Sequence, residues 1–181
     1  MTSASRAADP ELPLTERVVL ALVAEGTTHG WAVARLLEPG GEVGRVWTVR
    51  RALVYRAVAQ LLDVGVLREA GEAPSERGPR RTLLRATPRG KRIVSRWLLS
   101  PVQHVRDLRT ELLVKLLLAE RAGVDTGPLI SAQRAVLVPQ ARDLERRLSL
   151  AEGFDAVLLQ WRVEASTAAL RFLDRVPVDK A

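Results

Sequence analysis

Arginine is the residue type in this sequence whose number and spacing most clearly indicate a binding function. One group of arginines surrounds the single tyrosine, and another lies in residues 71–81, which are rich in glycine and proline. A guanidinium is permanently charged, binds phosphate oxygens and can donate two parallel hydrogen bonds to guanine. Hydroxyl side chains supply further donors to phosphates. The predicted DNA-contacting residues are Thr48, Arg50, Arg51, Tyr55, Arg56, Arg77, Arg80 and Arg81.

The positive charge is concentrated in the first part of the chain. The 181 residues carry 28 Lys and Arg against 21 Asp and Glu, a net charge of +7. Residues 1–100 hold 16 of these cations and 10 of the acids, whereas the rest of the chain holds 12 and 11. Eight cations occur from Arg77 to Arg96 without an intervening acid. This distribution favours an anionic partner for the first part of the chain.

The sequence lacks the residue sets that metal, redox or hydrolytic chemistry needs. It contains no cysteine, and His29 and His104 are its only imidazoles. It has no Gly-x-Ser-x-Gly motif and no phosphate loop ending in Gly-Lys-Ser/Thr. We interpret His29 as a capping or packing residue at the start of a helix. We therefore expect no enzyme activity, no cofactor and no metal site.

Composition and hydropathy indicate a globular protein. Hydrophobic residues make up 47% of the chain and charged residues 27%, which is not the composition of a disordered protein. The longest apolar run, residues 18–24, is far shorter than the roughly 20 residues of a membrane span. Acidic residues precede this run, where a secretory signal would be basic. We expect a cytoplasmic protein without a membrane partner.

Hydrophobic spacing predicts three short helices at the start of the chain. The first, capped by Thr15, ends near residue 25. The second is capped by Thr28 and covers residues 29–37. The third opens at Thr48 or Arg50 and ends near residue 65. The predicted inward face of the second helix consists of Trp31, Val33, Ala34 and Leu37.

Two strand candidates and a fourth helix follow. Residues 66–69 and 82–86 have strand character, and residues 71–81 between them suit a hairpin tip. Thr87 and Pro88 form a strong start signal for a helix that ends near residue 99. Three helices followed by a basic hairpin are typical of a winged helix-turn-helix domain.

The remainder of the chain has the pattern of longer helices. Apolar residues recur at spacings of three and four within residues 105–122, 137–148 and 154–175. Pro139 should kink the second of these helices. Such seams would leave large apolar patches on a monomer, so we expect a homodimer. The seam of the last helix consists of Leu158, Trp161, Ala165, Ala168 and Phe172.

These patterns together predict a mostly α-helical protein of two domains. The N-terminal domain is a winged helix-turn-helix with a small β-hairpin wing, and the C-terminal domain is a helical dimerisation domain. The expected boundaries are a flexible arm at residues 1–13, a DNA-binding domain at 14–101, a dimerisation and effector domain at 102–176 and a tail at 177–181.

A series of short motifs runs through residues 12–101. Leu20-Ala21-Leu22 and Thr28-His29-Gly30-Trp31 are followed by a longer matching stretch from Trp47 to Leu67 that contains Val54-Tyr55. The later motifs are Gly78-Pro79-Arg80-Arg81, Thr87, Gly90, Trp97-Leu98 and Pro101. In order and spacing they resemble the PadR-like family of winged-helix transcriptional regulators. The helical remainder is similar, by length and pattern, to the longer subfamily with a larger C-terminal domain.

The resemblance implies a regulator that binds a pseudo-palindromic operator in double-stranded DNA as a homodimer. It further implies a repressor that is released by a small hydrophobic or phenolic effector. The chain departs from the family pattern at four positions. Arg50 and Arg51 replace a serine and a proline at the start of the third helix, Arg56 replaces a proline, and Leu84 replaces a tyrosine. Each arginine replacement adds positive charge.

Alternatives stay open for the aromatic residues and for the whole chain. The Tyr55 hydroxyl could bind a phosphate, or its ring could close the domain core. Trp97 and Trp161 could bind the effector, or they could pack within the core or a dimer. The alternative function is a helical protein-interaction adaptor whose winged helix does not bind DNA.

Overall fold

The computed structural model describes residues 9–26, 28–74 and 80–177, and it divides into two compact units between Trp97 and Leu98. The first unit is built on α1 (Leu14–Ala24), α2 (Gly30–Leu37) and α3 (Arg51–Asp63). The apolar run of α1 is buried from Val18 to Val23 and packs against the inward face of α3. That face consists of Val54, Ala57, Val58 and Leu61.

A three-stranded antiparallel sheet completes this unit together with α4 (Pro88–Leu99). Its strands are β1 (Thr28–His29), β2 (Leu67–Ala73) and β3 (Arg81–Ala86), and β3 lies in the centre. Glu69 pairs with Leu84 and Glu72 with Thr82, so β2 contains one extra residue between these pairs. Gly71 takes a φ of 105° in this bulge, a conformation that residues with a Cβ rarely adopt.

The element order, with a hairpin of β2 and β3 following three helices, is that of a winged helix-turn-helix. The predicted fold class is confirmed, and the helices and wing strands form close to their expected positions. The helix starts differ in detail. Pro13, not Thr15, precedes α1, and His29, not Thr28, caps α2, because the His29 side chain accepts a hydrogen bond from the Ala32 amide.

The start of α4 shows why Thr87 and Gly90 occur together. The Thr87 hydroxyl donates to the Val66 carbonyl and accepts from the Gly90 amide, so it joins the helix start to the turn before β2. A Cβ on residue 90 would lie 2.3 Å from the Val66 carbonyl oxygen. Only glycine permits this close approach of α4.

The second unit is helical in the residues described. It contains α5 (Val105–Asp107), a π-helical segment (Leu108–Leu112), α6 (Leu113–Arg121), α7 (Gly127–Leu148) and α8 (Gly153–Leu173). Helix α7 continues through Pro139, and α7 and α8 pack along each other. The core of this unit includes Val102, Leu112, Leu129, Leu137 and Leu173.

Two buried polar side chains hold the segment that precedes α5. The Gln133 amide donates to the Val102 carbonyl at 2.8 Å and accepts from the Val102 amide at 2.7 Å. Lys115 is 1% exposed, and its ammonium group lies 2.9 Å from both the Ser100 carbonyl and a Glu111 carboxylate oxygen. Both buried groups are therefore paired, as the cost of burying polar atoms requires.

Candidate nucleic-acid interface

Helix α3 is held with its N-terminal half facing solvent. The Val49 amide donates to the Leu37 carbonyl, and this hydrogen bond joins the segment that leads into α3 to the end of α2. Arg50 precedes the helix in extended conformation. Burial of Val54, Ala57 and Leu61 determines which face of α3 points inward. The residues left on the outer face include Arg50, Arg51, Tyr55 and Arg56, all of them exposed.

The arginines of this face have few acidic neighbours. Arg51 lies 3.8 Å from a Glu38 carboxylate, and both side chains are partly exposed. Within the described ranges, Arg50 and Arg56 make no ion pair. The only carboxylate within α3 itself is that of Asp63, its last residue. The N-terminal half of α3 therefore presents three positive charges, and among the described residues only Arg51 has an acidic partner, at 3.8 Å.

Thr48 and Tyr55 border this arginine face. Thr48 is exposed, and its hydroxyl donates to the Gly44 carbonyl at 3.0 Å, which leaves the oxygen as an acceptor. Tyr55 is 46% exposed, and its ring lies directly over Gly30 at the start of α2. A Cβ on residue 30 would lie 2.9 Å from this ring. Tyr55 thus joins α2 and α3 while remaining open to solvent.

The predicted wing arginines have different surroundings. Arg77 lies outside the described residues. Arg80 is exposed and pairs with Glu72 across the hairpin at 3.0 Å. Arg81 begins β3, and its guanidinium lies 3.3 Å from the His29 ring and 4.7 Å from the centre of the Trp31 ring. The wing therefore offers one arginine with a surface ion pair and one that packs on the start of α2.

Trp31 was expected to face inward, and this prediction was wrong. Val33, Ala34 and Leu37 form the buried face of α2, whereas Trp31 is 40% exposed. Residue 31 is about 200° from residue 33 around a helix, so both cannot face the same core. The Trp31 ring instead packs against the guanidinium groups of Arg35 and Arg81.

His29 caps α2, as interpreted from the sequence, because its Nδ1 accepts from the Ala32 amide. Sequence reasoning did not include His29, Trp31 or Arg35 among the site residues. The helical spacing of Trp31 was the one signal that could have identified this cluster. A cleft of about 280 Å³ beside the cluster is lined by Tyr55, Glu69 and Thr82 among others.

The two tryptophans proposed for effector binding have opposite exposures. Trp97 is buried on α4 at 5% exposure, whereas Trp161 is exposed on α8 at 71%. The basic residues of α4 are partly engaged, since Asp9 pairs with Arg89 and with Arg96. Asp9 lies in the segment expected to be a flexible arm, and nothing in its local sequence indicated these pairs.

The described ranges contain neither a helix that could span a membrane nor a cluster that could hold a metal ion. No helix there combines the length and apolarity that a membrane span requires. Nowhere in those ranges do three or more His, Cys, Asp or Glu side chains gather closely enough to hold a metal ion.

Comparison with known proteins gives remote structural similarities. No protein-family profile and no curated protein matches the chain. Bacillus subtilis PadR in complex with operator DNA is similar over 89% of this chain and 96% of PadR, with 17% identity and a TM-score of 0.45. PadR in complex with p-coumaric acid is similar over 91% and 96%, with 15% identity and a TM-score of 0.44. A Streptococcus mutans protein, smu.1604c, is similar over 88% and 95%, with 12% identity and a TM-score of 0.43.

PadR is the protein after which the family resembled by the sequence motifs is named. The structural similarity is remote, so the winged-helix assignment rests on the element order and sheet topology of this chain itself.

Proposed function

We propose that this protein is a sequence-specific DNA-binding transcriptional regulator that acts as a homodimer. It represses transcription by occupying a pseudo-palindromic operator and is released by a small hydrophobic or phenolic effector. The DNA-contacting residues are those of the α3 face and the wing, namely Thr48, Arg50, Arg51, Tyr55, Arg56, Arg77, Arg80 and Arg81.

The observation that carries the proposal is the exposed arginine face of α3. Cations at a helix N-terminus oppose the helix dipole, at a cost of a few tenths of a kcal/mol each, so stability does not explain Arg50 and Arg51. Exposed ion pairs contribute about 0–1 kcal/mol, so a DNA phosphate can readily replace Glu38 as the partner of Arg51. In a winged helix this helix enters the major groove, where arginine recognises guanine and phosphate.

Homodimer formation is supported by an exposed apolar stripe on and before α8. Leu159, Ser166 and Leu173 face inward, which leaves the opposite side to solvent. The exposed apolar residues there are Leu150, Phe154, Val157, Trp161 and Phe172, with exposures from 42% to 87%. A patch of this kind on a monomer is a mark of an interface. We refer to these five residues as the α8 stripe.

A second copy of the chain is the partner that the charges around the α8 stripe favour. Glu152 and Asp155 lie at its N-terminal end, and Arg171, Asp174 and Arg175 lie at its C-terminal end, where Asp174 pairs with Arg134 of α7. Antiparallel pairing of two α8 helices about a two-fold axis near Trp161 places each acidic end against a basic end. A two-fold dimer of this type uses the same surface on both chains.

For effector release, we keep the two tryptophans predicted from the sequence, Trp97 and Trp161, as candidate ligand contacts. Aromatic rings commonly line small-molecule pockets. Because Trp97 is buried, a ligand can stack on it only after the side chains packed against it move. Binding is therefore coupled to a change of conformation. To empty the operator, the ligand must favour the non-binding dimer geometry by several kcal/mol.

The experiment that tests DNA binding is selection of genomic fragments by the purified full-length protein, followed by fluorescence anisotropy across a KCl series. We expect a few enriched inverted-repeat sites and a log-log salt slope of about −0.9 for each phosphate contacted. The triple variant Arg50→Gln, Arg51→Gln and Arg56→Gln should abolish enrichment. Arg142→Gln, an exposed arginine of α7, is the matched control and should bind as wild type. Absence of enrichment with the wild-type protein would favour the adaptor alternative.

A further inference from the structure

The imidazole of His29 lies between two hydrogen-bond donors. Its Nδ1 is 3.1 Å from the Ala32 amide nitrogen, and its Nε2 is 3.3 Å from Nη1 of Arg81. The amide carries a hydrogen, and the guanidinium is protonated and can only donate. A neutral imidazole has one nitrogen that accepts and one that donates. It therefore cannot accept from both neighbours, and one of these contacts sets a donor against a donor.

The capping geometry identifies the mismatched contact. Nδ1 caps α2 by accepting from the Ala32 backbone amide, so Nδ1 is the acceptor nitrogen. The hydrogen is then on Nε2 and points toward the guanidinium of Arg81. Two donors that converge in this way lack an acceptor, and an anionic oxygen between them would accept from both.

The surroundings of Arg81 also favour an external anion. Arg35, the other cation on the Trp31 ring, pairs with Glu38 at 2.8 Å. Arg81 has no ion pair among the residues that the structure describes. Glu69 lines the neighbouring cleft, and no ion pair with Arg81 is formed there. Among the described residues, the guanidinium of Arg81 thus contacts the Trp31 ring and the His29 imidazole but no carboxylate.

The position of this pair connects it to the DNA-contacting face. Tyr55 lines the same cleft and belongs to the exposed face of α3, and Gly30 beneath its ring directly follows His29. His29 and Arg81 are both only partly buried. We propose that His29 Nε2 and the Arg81 guanidinium together bind one non-bridging oxygen of a DNA backbone phosphate. This inference rests on the proposed function and adds a phosphate clamp formed by the start of α2 and the start of β3.

The test is a double-mutant cycle on a selected operator with the full-length protein. His29→Asn keeps a capping oxygen for α2 but removes the Nε2 donor, and Arg81→Gln removes the charge. A hydrogen bond to a charged group contributes about 1.5–3 kcal/mol, so each variant should bind at least about tenfold more weakly. Because both donors hold one oxygen, the double variant should lose little more than the single variants. Arg68→Gln, an exposed arginine of the same sheet, is the matched control and should not be coupled to His29→Asn.

Phosphate replacement identifies the atom that is bound. Neutral methylphosphonate linkages are introduced one at a time into the operator. One position in each half-site should weaken wild-type binding by about tenfold and should have no effect on the double variant. Independent losses that multiply to about a hundredfold, or unchanged methylphosphonate penalties in the double variant, would overturn the clamp.

A last arm distinguishes a DNA phosphate from a small anion. Inorganic phosphate and p-coumarate are titrated while the imidazole NMR signals of His29 are followed, with the exposed His104 as the internal reference. We expect no saturable shift of His29 below millimolar concentrations. Saturable binding of either anion, combined with an unchanged methylphosphonate pattern, would assign the pair to a small ligand and overturn the proposal. Wild-type protein that binds no DNA would contradict the proposed function, whereas DNA binding that is insensitive to these variants would contradict only the clamp.

Discussion

Arg51 and Arg80 are both exposed arginines with one acidic neighbour, but they lie on elements with different roles in a winged helix. Arg51 belongs to the first turn of the helix expected in the major groove, and Arg80 belongs to the wing. Loss of a base contact costs about 1–3 kcal/mol at a specific site, whereas loss of a phosphate contact weakens all sequences alike. We predict that Arg51→Ala weakens the operator complex by this amount and has little effect on random DNA.

The Arg80→Ala variant is the comparison for Arg51→Ala. It should weaken operator and random DNA by similar factors and reduce the magnitude of the salt slope by about one. Anisotropy titrations of both variants against operator and scrambled duplexes measure, for each variant, the loss of affinity on the two kinds of DNA. Equal loss on both duplexes for Arg51→Ala would show that Arg51 contacts only the backbone.

For single residues, the sequence was sufficient where helical spacing alone decides whether a side chain is buried or exposed. The burial of Val54, Ala57 and Leu61 follows from helical spacing, and the exposure of the arginines between them follows from the same spacing. The contact between Arg81 and His29 joins residues 52 positions apart, and it depends on the pairing of β1 with β3. No local pattern reports such a pair, because it is created by the register of the sheet.

Helix α8 is the element on which assembly depends in this proposal. We predict that Trp161→Glu in the α8 stripe converts the dimer to a monomer at micromolar concentrations, because a carboxylate buried in an apolar interface costs several kcal/mol. The thermal unfolding of the monomer should change little, since the Trp161 side chain is exposed within the chain. Light scattering measures the mass, and circular dichroism measures the unfolding temperature.

Ser131→Glu provides the matched control for Trp161→Glu, since it adds the same charge at an exposed position of α7. It should remain dimeric. A Trp161→Glu protein that is still fully dimeric would place the dimer interface elsewhere.

The sequence predicted α8 and its apolar seam, but it did not predict which other residues of the helix pack within the chain. The expected seam of Leu158, Trp161, Ala165, Ala168 and Phe172 is mostly exposed, and the side that packs within the chain contains Leu159, Ser166 and Leu173. Both series recur at helical spacing, so periodicity alone could not select the inward face. Strand β1 was missed because two residues are too short for an alternating pattern.

For the whole molecule, the two-fold symmetry of the proposed dimer predicts the form of the operator. A dimer carries two α3 helices, and these reach successive major grooves when they are separated by roughly 34 Å, one turn of DNA. We predict an inverted repeat with half-site centres about one turn apart and two chains bound per repeat. Footprinting measures the spacing, and insertion of five base pairs between the half-sites should abolish tight binding. Tight binding to an isolated half-site would contradict the symmetric arrangement.

The proposed effector release also belongs to the scale of the whole molecule. We predict that a phenolic acid quenches tryptophan fluorescence and dissociates the operator complex over the same concentration range. Trp97→Phe should shift both titrations together to higher ligand concentration if Trp97 contacts the ligand. Trp47→Phe controls for the change in the number of tryptophans. Unchanged operator release from a folded, dimeric Trp97→Phe protein would assign Trp97 to the core alone.

The Gln133 side chain has a consequence for the genetics of this protein. Its amide both donates to and accepts from the backbone of Val102, and among natural side chains of this length only glutamine carries both functions. Glutamate has no hydrogen for the Val102 carbonyl, and leucine or lysine has no acceptor for the Val102 amide. Codon 133 should therefore tolerate almost no missense change, and loss-of-function alleles isolated without regard to DNA contact should recur at this position.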